Sequence, residues 1–370
     1  MERRGFLVSL FLLKVLLYSG GYSKVSSCLD SERKALTTFR KALNDPSNLL
    51  SSWDDEDSDC CKWRGITCHN IAGYVLKLDL RSFSGPSLSA GIDPALVELK
   101  HLQLLDLSYN DFNGAPFPQL LGSMKELRHL HLSDAGFSGR IPHQLGNLSK
   151  LISLQLSSYS NNYLSAKNLW WLTSLPSLKY LDLSYVNLSM ISPTLASINF
   201  TSLRLLDLAA NNFNSTIPNW IANISSLVSL HLASNNFHGN QISGKIPSSM
   251  EGMKSLIVLD LSGNNINGII PLRLGNCVEL KAIDLSKNML SSGIPNSLGL
   301  LCQLQTMHMS NNSLSGKLPS SLKKCTSLET LDLGYNNFSG GIPTWISKSF
   351  PALRFLSLRS KMFTSNIPPQ

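Results

Sequence analysis

A leucine-spaced unit of about 24 residues recurs through most of the chain and constrains its fold more than any other feature. One copy reads LKAIDLSKNMLSSGIPNSLGLLCQ and covers residues 280–303. The leucines that open successive units are 24 to 29 residues apart, and they are Leu102, Leu127, Leu151, Leu178, Leu203, Leu227, Leu256, Leu280, Leu304, Leu328 and Leu353. Repetition at such a period is typical of solenoids, in which each unit packs against its neighbours.

The shared pattern explains how such a unit folds. It is L-x-x-L-x-L-x-x-N-x-(L/F/I)-x-G-x-I-P, followed by an apolar stretch such as SLGLLC. The last two leucines of L-x-x-L-x-L alternate with polar residues, as in a short strand with one buried face. A fully buried leucine contributes roughly 1.5–3 kcal/mol, so coils that stack need no single globular core. This is the leucine-rich repeat, and it predicts an α/β solenoid wound as a superhelix.

An asparagine at the ninth position of the unit is predicted to form a ladder. Its amide donates and accepts hydrogen bonds, so it satisfies buried backbone groups of adjacent coils. The ladder residues are Asn110, Asn211, Asn235, Asn264, Asn288, Asn312 and Asn336. Ala135, Tyr159, Val186 and Lys361 replace the asparagine elsewhere. The three consecutive departures predict irregular stacking around residues 127–200.

The N-terminal segment indicates export. Residues 1–20, MERRGFLVSLFLLKVLLYSG, have a basic start and an apolar run, and small residues follow at Ser19, Gly20 and Gly21. This layout predicts a signal peptide over residues 1–24. A membrane anchor is the alternative, but the apolar run is too short to span a bilayer comfortably. No later segment is apolar enough for a transmembrane helix, so the chain as given is expected to be secreted.

Four of the seven cysteines cluster near the N-terminus and predict two disulfides in an oxidising compartment. They are Cys28, Cys60, Cys61 and Cys68. The adjacent Cys60 and Cys61 are poor partners for each other, because neighbouring side chains in extended backbone point apart. Two connectivities remain open, of which Cys28–Cys60 with Cys61–Cys68 is preferred. The others, which we interpret as small buried apolar residues, are Cys277, Cys302 and Cys325.

Residues 25–72 are predicted to form an N-terminal cap. Asp30 or Ser31 is expected to cap a helix whose apolar residues share one face. The cap and its disulfides would cover the open end of the first coil, which a solenoid requires. Repeats follow over residues 73–352, and residues 353–370 form an incomplete last repeat.

The motifs C-C-x-W-x-G-I-x-C, at residues 60–68, and G-x-I-P resemble the extracellular region of plant leucine-rich-repeat receptors. NLWWLTSLPSLKYLDLSYVNLS, residues 168–189, is most similar to the receptor-like proteins typified by the tomato receptors for fungal ethylene-inducing xylanase. The resemblance covers essentially the whole chain. It implies an ectodomain on the outer side of the plasma membrane, then a transmembrane helix and a short tail without a kinase. It also implies signalling through a co-receptor kinase, usually in defence. That second half is lacking here, so the chain as given is expected in the apoplast.

The polar positions beside the strand leucines are expected to face one concave surface. The position between the two leucines holds Asp79, Asp106, His131, Gln155, Asp182, Asp207, His231, Asp260, Asp284, His308, Asp332 and Ser357. We interpret the aspartates mainly as structural and the departures from aspartate as a source of specificity. Aromatic side chains on a rigid surface suit protein or peptide recognition. The candidate ligand-binding residues are Tyr109, His129, His131, Tyr180, Tyr185, His231, His308 and Tyr335.

The histidines raise two further hypotheses. His129, His131 and the preceding coil's Asp106 resemble a metal site, but no fixed further ligand is evident, so neither a metal nor a cofactor is predicted. Histidine gains charge near pH 6, so ligand binding on this face is expected to depend on pH in a mildly acidic cell wall.

Seven N-x-S/T sequences predict N-glycosylation. Their acceptors are Asn147, Asn187, Asn199, Asn214, Asn223, Asn311 and Asn337. Asn147 and Asn223 occupy the same place on the convex side, where a glycan spares the concave face. A glycan on Asn311, near the end of a strand, would block part of that face.

The sequence offers no catalytic constellation, such as H-E-x-x-H or a glycine-rich phosphate loop, so no enzyme is predicted. The net charge of +8 is dispersed, which argues against nucleic-acid binding. The preferred function is a recognition ectodomain for a microbial or endogenous protein or peptide, in defence. The alternatives are a secreted inhibitor of a microbial wall-degrading enzyme and an inactive truncated product.

Overall fold

The computed structural model describes residues 27–54, 59–82, 87–159, 164–189, 200–237 and 245–359. Among them, one strand of the cap and one strand from each coil form a sheet of 13 strands. In order, the strands are Ile66–Cys68, Val75–Asp79, Leu104–Asp106, His129–His131, Ser153–Gln155, Tyr180–Asp182, Leu205–Asp207, Ser229–His231, Val258–Asp260, Ala282–Asp284, Thr306–His308, Thr330–Asp332 and Phe355–Ser357. The first pairs antiparallel with the second, and the later pairs are parallel. The predicted solenoid is confirmed.

Short helical segments follow the prolines of the I-P motif. In the coil that opens at Leu280, Pro295 has extended backbone and its carbonyl accepts the amide of Leu298 at 3.1 Å. The 3₁₀ segments are Cys60–Lys62, Pro94–Glu98, Gln119–Ser123, His143–Asn147, Trp170–Ser174, Ser248–Gly252, Leu272–Asn276, Asn296–Leu300 and Ser320–Lys324. The α-helices are Asp30–Ala42, Asn219–Ala222 and Ile346–Ser349. Within the described residues, no helix has the length and apolar character needed to cross a bilayer.

Smaller sheets lie between the main sheet and the helical segments along the chain. One contains Asn267–Gly268, Met289–Ser292, Ser313–Gly316 and Asn337–Phe338. The strands Gly139–Arg140 and Leu164–Ser165 form a parallel pair, and Leu43–Asn44 and Ser89–Ala90 form an antiparallel pair that joins the cap to the first coil.

The core is a continuous column of buried leucines and their substitutes, as the repeat pattern predicts. In the coil that opens at Leu280, the pattern residues Ile283, Leu285, Leu290 and Leu298 are all buried. Phenylalanines at the eleventh position stack between neighbouring coils, and the rings of Phe112 and Phe137 are 4.6 Å apart. Each coil therefore buries its apolar residues against adjacent coils.

The asparagine ladder is confirmed. Asn288 Nδ2 donates to the carbonyls of Leu261, at 2.9 Å, and Leu285, at 3.1 Å. Its Oδ1 accepts the amide of Ile266 at 3.1 Å. The same bonds recur at Asn110, Asn235, Asn264, Asn312 and Asn336.

The predicted irregularity around residues 127–200 is wrong for the main sheet, because its strands there pair in regular parallel register. Other polar groups bridge these coils. Ser157 Oγ donates to Ser133 Oγ at 2.9 Å, and the amide of Tyr159 donates to Asp134 Oδ1 at 2.6 Å. At the ladder position Asn211, the buried Oδ1 has no partner among the described residues. Lys361 lies outside those residues.

The preferred disulfide pairing is confirmed: Cys28 bonds Cys60, and Cys61 bonds Cys68. Cys277 and Cys325 are buried free thiols, as predicted, but Cys302 is exposed. The prediction for Cys302 is wrong because the preceding Leu301 fills the buried place in that coil.

The cap helix Asp30–Ala42 begins after Leu29, and no side chain caps it. The predicted capping by Asp30 or Ser31 is therefore wrong, since both residues lie inside the first turn. Glu32 is buried instead, and its Oε2 accepts the amide of Val75 at 2.6 Å. This carboxylate ties the cap directly to the first strand of the repeats.

Candidate ligand-binding face

Each coil presents two residues of its strand on the face opposite the core. In strand Leu104–Asp106, Leu105 is fully buried and its two neighbours project the other way. We call the residues before the buried one the first row and those after it the second row. Parallel register aligns these rows from coil to coil, as in the pairing of Asp182 with Asp207. The sequence-predicted candidates lie on this face or in the turn that follows it.

The aspartates of the second row build that turn. Each Oδ1 accepts the backbone amide two residues later, at distances between 2.9 and 3.1 Å, in Asp106, Asp182, Asp207, Asp260, Asp284 and Asp332. An aspartate that bonds its own backbone in this way is a turn former. The bonds agree with our structural interpretation of the LDLS motif.

Tyr109, Tyr185 and Tyr335 occupy the last residue of this turn. Their φ angles are 60°, 58° and 55°, in the left-handed region that non-glycine residues adopt uncommonly. The amide of Tyr109 donates to the carbonyl of Ser133 at 2.8 Å, and the amide of Tyr185 donates to Ala209 at 2.9 Å. Bonds to the next coil thus fix this backbone, and the three rings are exposed at one edge of the face.

The histidines of the second row make polar contacts within the face. His131 is only 6% exposed, with Nδ1 at 3.2 Å from Asp106 Oδ2 and Nε2 at 2.9 Å from Ser153 Oγ. His231 Nε2 lies 2.8 Å from Ser229 Oγ, and both residues are half-buried. His131 therefore offers a ligand little surface and serves mainly to join its coil to the coils on either side.

His129 and Tyr180 lie in the first row, and both are half-buried. Burial, together with the charges of His131, Lys77 and Arg128, lowers the pKa of His129 to about 4. The expectation that it gains charge near pH 6 is therefore wrong, because the folded environment disfavours the imidazolium. His308 is also half-buried, and its Nδ1 lies 3.8 Å from Asp332 Oδ2.

Tyr159 is a surface feature that our list of candidates missed. It stands at a ladder position, but its side chain turns outward and the residue is 66% exposed. Its ring centroid lies 4.1 Å from that of Tyr185 in the next coil. The signal in the sequence was the departure from asparagine, since a tyrosine cannot replace the ladder bonds.

Carboxylates surround this ring pair. We define the tyrosine–aspartate patch as Asp134, Tyr159, Asp182, Tyr185 and Asp207. Burial raises the pKa of Asp134, and burial together with the neighbouring Asp207 raises the pKa of Asp182 to about 6. Burial and the nearby acidic groups, Tyr185 first, raise the pKa of Tyr159 to about 12. The patch is thus a partly desolvated site with excess negative charge, which favours a cation.

The predicted glycosylation residues are exposed wherever the structure describes them. They are Asn147, Asn187, Asn214, Asn223, Asn311 and Asn337. Asn199 lies outside the described residues. Among the described residues, the sulfurs of Cys28, Cys60 and Cys61 make the one cluster close enough to hold a metal, and these cysteines form the disulfides.

Three family models match the chain. The model described as the leucine-rich-repeat N-terminal domain matches residues 29–69, and one described as a leucine-rich-repeat region matches residues 154–366. A single leucine-rich repeat also matches residues 126–148. The tomato (Solanum lycopersicum) receptor-like protein EIX1 is 35% identical over an alignment of 297 residues that covers 69% of this chain and 28% of that protein. The chain therefore spans about a quarter of this relative's length.

Solved plant receptor ectodomains share the fold. The ectodomain of the Arabidopsis receptor kinase HAESA, bound to an N-terminally extended IDA peptide hormone, superposes with a TM-score of 0.75 at 30% identity. The match covers 92% of this chain and 59% of that one. A second HAESA structure, with the IDA hormone and the co-receptor SERK1, gives a TM-score of 0.68 at 29% identity and covers 90% of this chain and 62% of that one.

Proposed function

Because this chain belongs to the leucine-rich-repeat family and is similar to plant receptor-like proteins, we propose that it is the recognition ectodomain of a plant cell-surface receptor that senses a microbial protein or peptide in defence. The observation that carries the proposal is the edge of exposed tyrosines held by the turns after the strands. Tyrosine buries a large area at low entropic cost, and a fixed backbone lowers that cost further. The family consists of binding proteins, which agrees with this role.

The proposed partners and location follow from the relatives. HAESA binds a peptide hormone and a co-receptor in its solved complexes. By analogy, we assign the present face to a protein or peptide ligand, and we assign signalling to a co-receptor kinase when the ectodomain is membrane-anchored. We propose that the protein meets its ligand in the apoplast, an oxidising compartment in which the disulfide-bonded cap is stable.

A binding experiment with the full chain, secreted from plant cells, tests the proposal. Extracellular protein fractions of fungal and bacterial cultures are passed over immobilised protein, and the retained components are identified and titrated. Replacing Tyr109, Tyr185 and Tyr335 by alanine is expected to weaken binding at least tenfold, because these rings are the proposed anchors.

The matched control replaces exposed apolar residues of the helical side, with Trp170→Ala, Leu272→Ala and Leu300→Ala. Binding that depends on the control set and not on the tyrosines would overturn the proposal. Stoichiometric inhibition of a retained wall-degrading enzyme, without dependence on the tyrosines, would support the inhibitor function instead.

A further inference from the structure

We propose that the tyrosine–aspartate patch receives an arginine side chain of the ligand. This inference rests on the proposed function and deepens it, because it names the chemistry of one anchor. The argument begins with two arginines of the chain itself, which occupy the same place in the repeat.

Arg81 and Arg359 both stand two residues after the second row, in the first and last described coils of the repeats. In the coils between them this place holds only small residues, namely Ser108, Ser133, Ser157, Ser184, Ala209, Ala233, Ser262, Ser286, Ser310 and Gly334. Arginine thus occupies this place in the two outer coils, whereas the coils between them carry no long side chain there.

The contacts of these two arginines show how this face binds a guanidinium group. Arg81 donates to both carboxylate oxygens of Asp79, at 2.9 and 2.7 Å, and its Nε lies 3.2 Å from Asp106 Oδ2. Arg359 lies over the ring of Tyr335, with Cζ 4.9 Å from the centroid, and donates to its hydroxyl at 2.8 Å. One arginine uses second-row carboxylates, and the other uses a turn tyrosine.

The tyrosine–aspartate patch combines both kinds of partner in adjacent coils. Tyr159 and Tyr185 supply two ring faces, and the backbone bond from Tyr159 to Asp134 fixes one carboxylate beside them. Asp182 and Asp207 lie side by side in the second row. Burial and, after it, repulsion from Asp207 raise the pKa of Asp182, so a cation placed between ring and carboxylates relieves an electrostatic cost.

Two basic residues of these coils stand at the other end of the strands. Lys179 and Arg204 each precede a first-row residue, and both are exposed. Ser184 and Ser157 donate hydrogen bonds to Asp182, and these bonds oppose part of the rise in its pKa. A ligand lying along the strands would therefore meet negative charge at the patch and positive charge at the opposite edge.

Arginine fits the patch better than lysine does. Its planar guanidinium stacks on an aromatic face and, at the same time, donates two parallel bonds to a carboxylate. A lysine ammonium provides a point charge without the stacking plane. The expected discrimination of arginine over lysine is therefore about fivefold to tenfold in affinity.

The test selects peptides from a random library displayed on phage against the full secreted chain. We expect arginine to be enriched at one position of the selected peptides. In the best peptide, measured by calorimetry, Arg→Lys should weaken binding fivefold to tenfold, and replacement by the uncharged isostere citrulline should weaken it at least fiftyfold. Tyr159→Ala with Tyr185→Ala should remove the preference for arginine.

Three variants make the result specific. Tyr159→Phe with Tyr185→Phe keeps the rings and should keep the preference, which separates recognition from misfolding. Asp134→Asn with Asp182→Asn keeps the size of both side chains and should reduce the preference. Leu272→Ala, at an exposed residue of the helical side, should change the affinity less than twofold.

Selected peptides that lack arginine, or that keep it in the Tyr159→Ala, Tyr185→Ala protein, would overturn this inference. If the binding of such peptides still depends on Tyr109 or Tyr335, the result supports the proposed function and rejects the arginine site. If their binding depends on none of the tyrosines, both fail.

Discussion

Asn288 illustrates how single residues hold the stack together. Its amide satisfies a carbonyl in its own coil and both a carbonyl and an amide in the preceding coil. These groups are buried, so water cannot replace the asparagine. The repeat therefore depends on polar residues as well as on leucine.

Asn288→Ala is expected to lower the free energy of unfolding by about 2–4 kcal/mol, because each buried polar group left without a partner costs about 1–3 kcal/mol. Urea denaturation followed by circular dichroism measures this loss. Asn276→Ala, at an exposed asparagine of the neighbouring coil, is the control and should cost less than about 0.5 kcal/mol. Equal effects in the two variants would contradict the ladder's role.

Asp182 makes stability depend on pH. Its pKa in the folded state, about 6, lies above the ordinary 3.8 because of burial and Asp207. The folded state therefore binds the proton more tightly than the unfolded state, and stability falls as pH rises through this range. Asp182→Asn keeps the acceptor for the Ser184 amide and removes the charge.

The free energy of unfolding of Asp182→Asn, relative to wild type, is therefore expected to rise by roughly 1–2 kcal/mol between pH 4.5 and 7.5. Denaturant titrations at several pH values measure the difference. Asn276→Ala changes no charge and should show no such trend. A difference between Asp182→Asn and wild type that stays constant with pH would disprove this explanation.

On the candidate face, sequence analysis missed the features that depend on a contact between coils. The repeat pattern correctly predicted which side chains face away from the core, since alternation along a strand decides this. It could not show that His131 is held between Asp106 and Ser153, or that Tyr159 turns outward onto Tyr185. Those outcomes depend on which residues happen to align in adjacent coils.

At the scale of elements, the cap helix shows how the repeats are closed. Leu36 and Phe39 are buried, as the apolar periodicity predicted, and the disulfide pairing was also predicted. The attachment of the helix through Glu32 was not, because a charged residue in a first turn is ordinarily interpreted as exposed. Burial raises the pKa of Glu32, and its bond to the amide of Val75 opposes that rise.

Glu32→Ala is expected to destabilise the cap by about 1–3 kcal/mol, because the amide of Val75 then has no acceptor. Glu32→Gln is the matched control, since it retains an acceptor oxygen and should cost less than about 1 kcal/mol. Thermal unfolding with the disulfides intact compares the two. Similar losses for alanine and glutamine would show that the hydrogen bond is not what fixes the cap.

At the scale of the whole molecule, the predicted glycosylation sequons lie at different places on the surface. Asn147 and Asn223 lie at the ends of helical segments, on the side away from the main sheet. Asn311 has a φ of 55° and occupies the same turn position as Tyr335 in the following coil. A glycan there would stand at the edge proposed to bind the ligand.

We expect occupancy at Asn147 and Asn223 and none at Asn311, since a face used for binding must stay uncovered. Glycopeptide mass spectrometry of the chain secreted from plant cells measures all three sites in one sample, with the convex sites as the internal reference. Substantial occupancy at Asn311 would argue against ligand binding around residues 304–335.

The strict in-register pairing of consecutive strands has a consequence for how such a protein changes its target. Every coil meets the next through the same backbone contacts, whatever its outward side chains are. A run of coils is therefore an exchangeable cassette, and one carrying residues 104–189 can in principle be grafted into another receptor of this type. Recombination between related genes would then produce new specificities without any need to evolve a new scaffold.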